Sequence, residues 1–254
     1  MLFAQGARKS GNYIVAVAIK GETTRQLNKL VDKIYWLGLD EFSKMFEIFK
    51  AEGVTELTMA GQISPWRIFS KEIYKDAKLK ELLLKIKDKR ADTIFGAIAQ
   101  ELEKSGFKLL DSTVFLGDYL PKKGILTQKG RIDPAIWDDV CFGLELAKQV
   151  AFLDIGQTVA VKNQAIVAVE ALEGTDNLIK RAGRLTRGGA TIVKVSKPKQ
   201  DMRFDIPVVG LNTINTLLKA GAACLAIEGG KTLFIDQEKS VKLADKKGLS
   251  IVAV

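Results

Sequence analysis

The sequence predicts an α/β fold in two domains, with a parallel sheet in the first half of the chain and a mixed sheet in the second. Between residues 13 and 116, short β-rich runs alternate with amphipathic helical stretches, which is typical of a parallel sheet covered by helices. The chain has 254 residues, of which 47% are hydrophobic, so it exceeds the usual domain of about 100 to 150 residues. We therefore expect an N-terminal domain at 1–116, a linker at 117–133 and a C-terminal α/β domain at 134–254.

The elements of the N-terminal domain follow from its apolar patterns. They are, in chain order, a strand at 13–19, a helix with one apolar face at 39–49, a buried strand at 54–59, a helix at 91–104 and an extended segment at 107–116. Gly61 lies in the loop after the strand at 54–59. Ligands of open α/β sheets bind at the carboxyl ends of strands, so Gly61 is a candidate binding residue.

The C-terminal domain begins at a strong helix start, because Asp133 caps free N–H groups and Pro134 fits the first helical turn. Its predicted elements are, in chain order, a helix at 134–153, a β-hairpin of 158–161 and 165–169, a helix capped by Thr175 and ending at Arg181, a strand at 190–195, a strand from Pro207, a helix at 213–220, strands at 224–227 and 232–235, a helix after Asp236 and a strand at 249–252. The linker at 117–133 combines glycines, a proline and basic residues with little periodicity.

The composition excludes several chemistries. The chain has no histidine, so Ser-His-Asp triads, His-ligated metals and imidazole acid–base catalysis are excluded, and carboxylates must carry any acid–base work. Cys141 and Cys224 are far apart in sequence, which excludes a disulfide scaffold and a zinc site made of cysteines and indicates a reducing cytoplasm. No apolar run approaches the ~20 residues that span a bilayer, and the sequence shows no signal-peptide pattern of basic, apolar and small-residue segments. We expect a soluble or peripheral cytoplasmic protein.

The glycine motifs do not match the common nucleotide-binding loops. Gly230-Lys231-Thr232 resembles the end of a phosphate-binding loop, but Leu225 occupies the position where that loop needs a glycine. A hairpin turn is the better interpretation. No Gly-x-Gly-x-x-Gly follows a predicted strand, which disfavours a nicotinamide-dinucleotide dehydrogenase.

The net charge of +9 favours an anionic partner. Positive charge is densest at 71–90, where eight basic residues accompany four acidic ones and leucines lie between them. This segment is either a solvated helix whose leucines pack inward or a surface for phosphates or an anionic membrane. Because the basic residues are not interleaved with aromatic ones, nucleic acid is not an expected partner.

The segment 194–210 is the strongest candidate for an active-site loop. Pro198 and Pro207 keep it from being helical, and it carries the carboxylates of Asp201 and Asp205. Its candidate cations are Lys194, Lys197 and Arg203. Mg²⁺ prefers one or two carboxylates together with substrate phosphate oxygens, so this set suits phosphate-ester or pyrophosphate chemistry. The alternative is a surface loop held by aspartate–arginine pairs.

Short motifs along the chain carry a family resemblance. They are Ala18 to Glu22, Met59-Ala60-Gly61, Asp154-Ile155-Gly156-Gln157, Val169-Glu170 with Glu173-Gly174-Thr175-Asp176, and Lys197-Pro198 through Pro207 and Gly210. Together they resemble the LpxI family of UDP-2,3-diacylglucosamine pyrophosphatases over nearly the whole chain. The motifs of the C-terminal half are the most specific part of the resemblance.

The resemblance implies an enzyme of lipid A biosynthesis in a Gram-negative bacterium. Such an enzyme uses Mg²⁺ and hydrolyses UDP-2,3-diacylglucosamine to 2,3-diacylglucosamine 1-phosphate (lipid X) and UMP, with water attacking the α-phosphorus. It also implies an N-terminal Rossmann-like domain, a family-specific C-terminal catalytic domain and substrate bound between them. Family members open with a strand and a glycine-rich loop, whereas this chain starts in the helix that follows. We therefore expect the first strand to be absent, through either a late start assignment or a real loss.

Asp201 and Asp205 are the expected catalytic and metal-binding residues, holding Mg²⁺ and orienting the water. Asp205 is the more indispensable of the two in this hypothesis, because Pro207 fixes the chain just beyond it. The cations of the segment would neutralise the diphosphate and the charge that grows on it in the transition state. The expected substrate-binding residues are Gln157, Glu170, Thr175, Asp176, Lys194, Lys197, Gln200, Arg203 and Gly61.

Further expectations concern partners. The leucine–lysine stretch at 79–89 would dock the protein peripherally on the cytoplasmic face of the inner membrane. The alternative function is a non-catalytic module that binds a nucleotide-sugar or an anionic lipid, in which case Asp201 and Asp205 would matter only for affinity. The acyl-chain preference and the oligomeric state, a homodimer included, stay open.

Overall fold

The structure is a computed structural model that describes residues 1–61, 63–64, 67, 70–128 and 132–254. The chain is a mixed α/β protein with helices and several sheets, as predicted, and it separates into two compact units. Unit 1 comprises Met1–Gly117 and Asp201–Asp205, and unit 2 comprises Asp118–Gln200 and Ile206–Val254. The segment 201–205 thus belongs with the N-terminal unit, although its sequence position places it in the predicted C-terminal domain.

Unit 1 contains helices and two small parallel sheets. Its helices are α1 (Leu2–Lys9), α2 (Phe42–Ala51), α3 (Ala77–Lys85) and α4 (Ala91–Lys104). Its strands are β1 (Val15–Ile19), β2 (Lys33–Leu37), β3 (Glu56–Leu57) and β4 (Lys108–Leu109). β1 pairs with β2 and β3 pairs with β4, both in parallel, and the two pairs are separate sheets within the described residues.

Local patterns locate most of these elements. The helix predicted at 91–104 is confirmed by α4, and the strand predicted at 13–19 is confirmed by β1. The strands predicted at 54–59 and 107–116 reduce to β3 and β4, which pair over two residues each. Strand β2 is absent from the predicted elements; its sequence, Lys-Ile-Tyr-Trp-Leu, has no alternation of apolar and polar residues.

The segment 201–205 is anchored in the core of unit 1. Phe204 is 6% exposed and packs in the main hydrophobic cluster of this unit. Ser112 donates from its backbone N–H to the Met202 carbonyl at 2.8 Å and from its hydroxyl to the Arg203 carbonyl at 2.6 Å. Burying one phenylalanine is worth about 1.5–3 kcal/mol, so this contact is strong enough to hold the segment against unit 1.

Helix α3 uses its leucines for packing. Leu79, Leu82 and Leu83 are buried, whereas Leu84 is 72% exposed. Most leucines of the segment 71–90 therefore pack inward, as in the interpretation of a solvated helix.

Unit 2 contains the large sheet of the protein. Its helices are α5 (Pro134–Phe152), α6 (Thr175–Thr186), α7 (Leu211–Lys219) and α8 (Gln237–Lys247). Its strands are β5 (Gly124–Ile125), β6 (Thr158–Lys162), β7 (Ala165–Val169), β8 (Thr191–Lys194), β9 (Val208–Val209), β10 (Cys224–Ile227), β11 (Leu233–Phe234) and β12 (Ser250–Ala253). Six of them form one mixed sheet in the order β5-β12-β10-β8-β6-β7, in which β12, β10 and β8 are parallel and the others antiparallel to their neighbours.

Alternate residues of this sheet face two hydrophobic cores. Ile192 of β8 packs in a cluster with α6, α7 and α8, and the next residue, Val193, packs in a second cluster with α5. Helix α5 lies very close to the sheet, since a Cβ on Gly143 would come within 2.7 Å of Val193 Cγ2. The sheet is thus covered on both faces, and its edges and strand ends remain for ligands.

Apart from Gly117, the described part of the predicted linker belongs to unit 2. β5 pairs antiparallel with β12, and buried Thr127 accepts a hydrogen bond at Oγ1 from Ile251 N at 3.1 Å. A two-residue edge strand has no periodicity of its own, so the composition of 117–133 could indicate only a linker. Residues 129–131 lie outside the described part of the chain.

The turn at Gly229-Gly230 does not form the predicted hairpin. β11 pairs in parallel with β9 in a separate sheet, while β10 lies inside the six-stranded sheet. Lys231 forms an ion pair with Glu228 at 2.7 Å, so it folds back onto the preceding strand end. Helix α6 also differs from its prediction: Gly174, with φ 80°, is the N-cap, and the helix continues to Thr186.

None of the described helices combines the length and the apolar composition that crossing a membrane would require.

Candidate functional site

The carboxyl edge of the six-stranded sheet collects polar side chains from elements that are far apart in sequence. Lys194 ends β8 and lies opposite Thr158, the first residue of the antiparallel strand β6. Glu170 directly follows β7, whose last residue, Val169, pairs with Val159. The end of β8, the start of β6 and the end of β7 therefore meet at one edge, where ligands of α/β sheets bind.

Glu170, Thr175 and Lys194 form a hydrogen-bonded chain, which we call the edge cluster. Lys194 Nζ donates to Thr175 Oγ1 at 2.7 Å, and Thr175 Oγ1 donates to Glu170 Oε1 at 2.8 Å. Lys194 and Glu170 are each 8% exposed. Thr175 thus bridges a buried ammonium and a buried carboxylate, and the structure brings together three of the predicted substrate-binding residues.

The edge cluster retains binding capacity. Within the described residues, Glu170 Oε2 is buried without a hydrogen-bond partner, and Lys194 donates to a neutral hydroxyl instead of a carboxylate. An unpaired buried acceptor costs about 1–3 kcal/mol, and more when it is charged. A buried ammonium likewise needs a counter-charge. The cluster is therefore suited to a ligand that brings an anionic oxygen to Lys194 and a hydrogen-bond donor to Glu170.

Close packing in the loop before β6 positions Glu170. A Cβ on Gly156 would lie 2.1 Å from the Glu170 carbonyl oxygen, so only glycine fits there. The Gln157 carbonyl accepts from Val195 N at 2.9 Å, which ties this loop to the end of β8. Gln157, a predicted substrate-binding residue, is half-buried beside the edge cluster.

Lys197 is the ion-pair partner of Asp154. The Nζ–Oδ1 distance is 2.6 Å, and the two side chains are 8% and 13% exposed. Gln200 forms a turn with Lys197, because its Oε1 accepts from Lys197 N at 3.2 Å and its N–H donates to the Lys197 carbonyl at 3.1 Å. Lys197, which was predicted to neutralise a diphosphate, has its charge balanced here by the largely buried carboxylate of Asp154. Lys197 and Gln200 shape the loop after β8.

Glu228 lies at the same sheet edge and is absent from the predicted site. Its Oε2 accepts hydrogen bonds from Ser196 N at 3.0 Å, from Ser196 Oγ at 2.7 Å and from Lys148 Nζ. Burial opposes ionisation of Glu228, but these hydrogen bonds and one from Lys231 outweigh it and lower the pKa of the carboxyl to about 2. Glu228 thus holds the start of the loop after β8. Two features of the sequence could have identified this pair: Glu228 is a charged residue directly after a buried strand, and Lys148 is a lysine in the apolar helix α5.

Asp201 and Arg203 form a bidentate ion pair within unit 1. Arg203 Nε donates to the two Asp201 oxygens at 2.9 and 3.1 Å, and Nη2 donates to Oδ2 at 2.7 Å. Arg203 Nη1 also contacts Glu103 Oε1 at 2.5 Å. The hydrogen bonds from Arg203 hold the pKa of Asp201 below its usual range. This is the aspartate–arginine pairing of the surface-loop alternative.

Asp205 has an exposed side chain and a left-handed backbone, with φ 55°. Aspartate tolerates this region better than most residues, since its short polar side chain can hydrogen-bond locally. Asp176, in the first turn of α6, and Gly61, with φ 117°, are also exposed. Gly61, Asp201, Arg203 and Asp205 belong to unit 1, whereas the edge cluster belongs to unit 2.

Across the described ranges, no group of three or more Asp, Glu or Cys residues is arranged to hold a metal ion. Mg²⁺ commonly binds proteins through one or two carboxylates together with substrate phosphate oxygens.

Comparisons with known proteins match both halves of the chain. The LpxI N-terminal domain matches residues 1–119, and the LpxI C-terminal domain matches residues 122–252. The UDP-2,3-diacylglucosamine pyrophosphatase LpxI of Caulobacter vibrioides is 32% identical over 231 residues, which cover 86% of this chain and 81% of the relative. With both domains matched in order, the chain belongs to the LpxI family.

Proposed function

We propose that this protein hydrolyses the pyrophosphate bond of UDP-2,3-diacylglucosamine to lipid X and UMP, a step of lipid A biosynthesis. The Caulobacter relative is named for this pyrophosphatase activity. The edge cluster carries the proposal, because its buried ammonium has no carboxylate partner in the described part of the chain and its buried carboxylate has an unused oxygen. A UDP-sugar supplies both partners: phosphate oxygens for the cation, and hydroxyl or N–H donors for the carboxylate.

Lys194 is the cation that contacts the diphosphate in this proposal. Its ammonium stabilises the negative charge that increases on the α-phosphoryl oxygens as water attacks, and such stabilisation is strong where water is largely excluded. Thr175 holds the ammonium in place by accepting its hydrogen bond. Lys197 and Arg203 have carboxylate partners, so they act as positioning residues for the segment between them.

Mg²⁺ fits this chain as an ion shared with the substrate. Asp205 would hold it together with phosphate oxygens, and Asp201, which is paired with Arg203, is the second candidate ligand. When bound, the ion supplies the charge neutralisation and water activation that a chain without histidine lacks. Asp205 orients the attacking water by accepting a hydrogen bond from it.

Turnover in ¹⁸O-labelled water tests the reaction and the site of attack together. We expect conversion of UDP-2,3-diacylglucosamine that stops in EDTA and resumes with excess Mg²⁺, with the label in UMP because water attacks the α-phosphorus. Mass spectrometry of both products is the readout. Label in the lipid phosphate would keep the substrate and overturn the site of attack. Tight binding without turnover would favour the non-catalytic binding module instead.

Glu170→Gln is expected to raise KM by about 10- to 100-fold with a smaller change in kcat, because a charged hydrogen bond worth about 1.5–3 kcal/mol is lost in the substrate complex and the transition state alike. Steady-state kinetics separate the two constants. Glu173→Gln is the matched control, since its carboxylate is three residues away and already pairs with Arg181 at 2.6 Å. Equal KM values for Glu170→Gln and the unsubstituted protein would remove Glu170 from the binding site.

We also propose that the protein works in the cytoplasm and meets its lipid substrate at the cytoplasmic face of the inner membrane as a peripheral protein. Two free cysteines, Cys141 and Cys224, suit a reducing compartment. Contact through the stretch at 79–89 would depend on its basic residues and Leu84. For unit 1 we propose a Rossmann-like arrangement, which its two parallel strand pairs and their helices support.

A further inference from the structure

The end of α5 and two connections of unit 2 expose large apolar side chains, which we call the apolar rim. Its members, with their exposed fractions, are Phe152 at 70%, Leu153 at 60%, Ile155 at 50% and Leu172 at 46%. Single exposed apolar side chains are ordinary on a protein surface, whereas a contiguous group of them marks a binding surface. Three members of the apolar rim lie within four consecutive residues, and the fourth lies in the connection that packs against that segment.

The apolar rim borders the edge cluster. Phe152 is the last residue of α5, Leu153 and Ile155 lie in the connection from α5 to β6, and Leu172 lies in the connection from β7 to α6, two residues after Glu170. The two connections touch where Gly156 packs against the Glu170 carbonyl. The apolar rim therefore adjoins the edge cluster, whose ammonium and carboxylate can still bind a ligand.

The connection from α5 to β6, which carries Leu153 and Ile155, has a defined conformation. Ile155 N donates to the Val150 carbonyl at 3.2 Å, and Asp154 has a left-handed φ of 56°. The Asp154 side chain is 13% exposed and pairs with Lys197, while the apolar residues on either side of it face solvent. This is the inverse of the usual burial pattern. Since burying one leucine or phenylalanine is worth about 1.5–3 kcal/mol, the arrangement indicates an apolar ligand.

We propose that the apolar rim binds the acyl chains of the substrate. This assignment rests on the proposed function, because UDP-2,3-diacylglucosamine carries its acyl chains on the same sugar as its diphosphate. With the diphosphate at Lys194, the chains begin beside the edge cluster, and the rim is the apolar surface that adjoins it. The Asp154–Lys197 ion pair links the rim to the loop after β8, so the two parts of the substrate meet one connected structure.

Substrates with short and long acyl chains test the proposal. The double variant Leu153→Ser/Ile155→Ser is compared with the unsubstituted protein on UDP-2,3-diacylglucosamine that carries either decanoyl or tetradecanoyl chains. Dissociation constants are measured in EDTA, without turnover, and KM and kcat in Mg²⁺ at a fixed detergent concentration. We expect the unsubstituted protein to bind the long-chain substrate at least about tenfold more tightly, because buried methylene groups add affinity. The double variant loses this preference, with kcat on the short-chain substrate changed less than about twofold.

Ile125→Ser is the matched control, because Ile125 is 53% exposed on the strand at the opposite edge of the same sheet. It should keep the chain-length preference. If the double variant keeps that preference too, or if the unsubstituted protein has none, the acyl-chain assignment is wrong. A double variant that keeps it but no longer floats with phosphatidylglycerol vesicles would assign the rim to the membrane instead. Absence of turnover by the unsubstituted protein would reject the proposed function, and the dissociation constants would still decide the role of the rim.

Discussion

Asp205→Asn is expected to lower kcat for UDP-2,3-diacylglucosamine by at least about 100-fold, with a smaller change in KM. The substitution removes the carboxylate charge that holds Mg²⁺ and orients the water in our proposal, but it keeps the size of the side chain. It also suits the backbone, because asparagine tolerates the left-handed φ of 55° better than alanine does. Steady-state kinetics over a range of Mg²⁺ concentrations give kcat, KM and the apparent affinity for the metal.

Asp236→Asn is the matched control for this experiment. Asp236 is an aspartate with nearly the same backbone conformation, φ 54°, directly before α8. It should retain kcat within about twofold, since a surface substitution away from the site has little effect. A comparable loss of kcat in both variants would indicate that the substitutions disturb folding, and it would not support a catalytic role for Asp205. An Asp205→Asn protein with full activity would contradict the role of Asp205.

Glu228→Gln is expected to lower the free energy of unfolding of unit 2 by about 3 kcal/mol at neutral pH. The fold lowers the pKa of this carboxyl from its usual 4.5 to about 2, and every tenfold change in proton affinity corresponds to about 1.4 kcal/mol. Its side chain is 12% exposed, so solvent screens the interaction little. A neutral amide cannot balance the charge of Lys148 or accept all the hydrogen bonds from Ser196. Denaturant unfolding followed by circular dichroism measures the change.

The same carboxylate makes stability depend on pH. Because the pKa of Glu228 is lower in the folded state, its contribution is fully present above about pH 4.5 and is lost as the pH falls towards about 2. The difference between Glu228→Gln and the unsubstituted protein should therefore shrink steadily on acidification. A difference that is constant down to strongly acidic pH would contradict this account.

Glu238→Gln controls for the loss of a charge as such. Glu238 is 92% exposed in α8, and its nearest cation, Lys242, is 4.0 Å away. Exposed pairs of this kind contribute at most about 1 kcal/mol and often nothing measurable. We therefore expect the stability of Glu238→Gln to stay within about 0.5 kcal/mol of the unsubstituted protein.

Helices were more predictable than strands, and the reason is physical. The spacing of apolar residues along a helix is a local property, so α4 and most of α5 can be located from neighbouring residues alone. Local patterns located β3 and β4 but predicted strands several residues too long, and no local pattern indicated β5, because strands of two residues depend on their partners. For β11 the sequence predicted the strand but not its partner, which is β9 and not the preceding strand.

The amino-acid sequence alone shows which side chains can take part in catalysis or binding. It also shows where polar residues follow predicted strands. The lack of histidine leaves carboxylates and cations, and Glu170 and Lys194 can be recognised as polar residues at strand ends. Strand periodicity and composition are local quantities, so they need no knowledge of the fold.

Only the tertiary structure determines which groups pair with each charged side chain. Lys148 and Glu228 are 80 residues apart, and Arg203 and Glu103 are 100 apart, yet both pairs are in contact. Such pairing leaves Lys194 bonded to a hydroxyl, balances Lys197 and Arg203 with carboxylates, and attaches residues 201–205 to unit 1. The energy of a charge depends on what is packed within a few ångströms of it, and packing across 80 or 100 residues of chain has no local sequence signal.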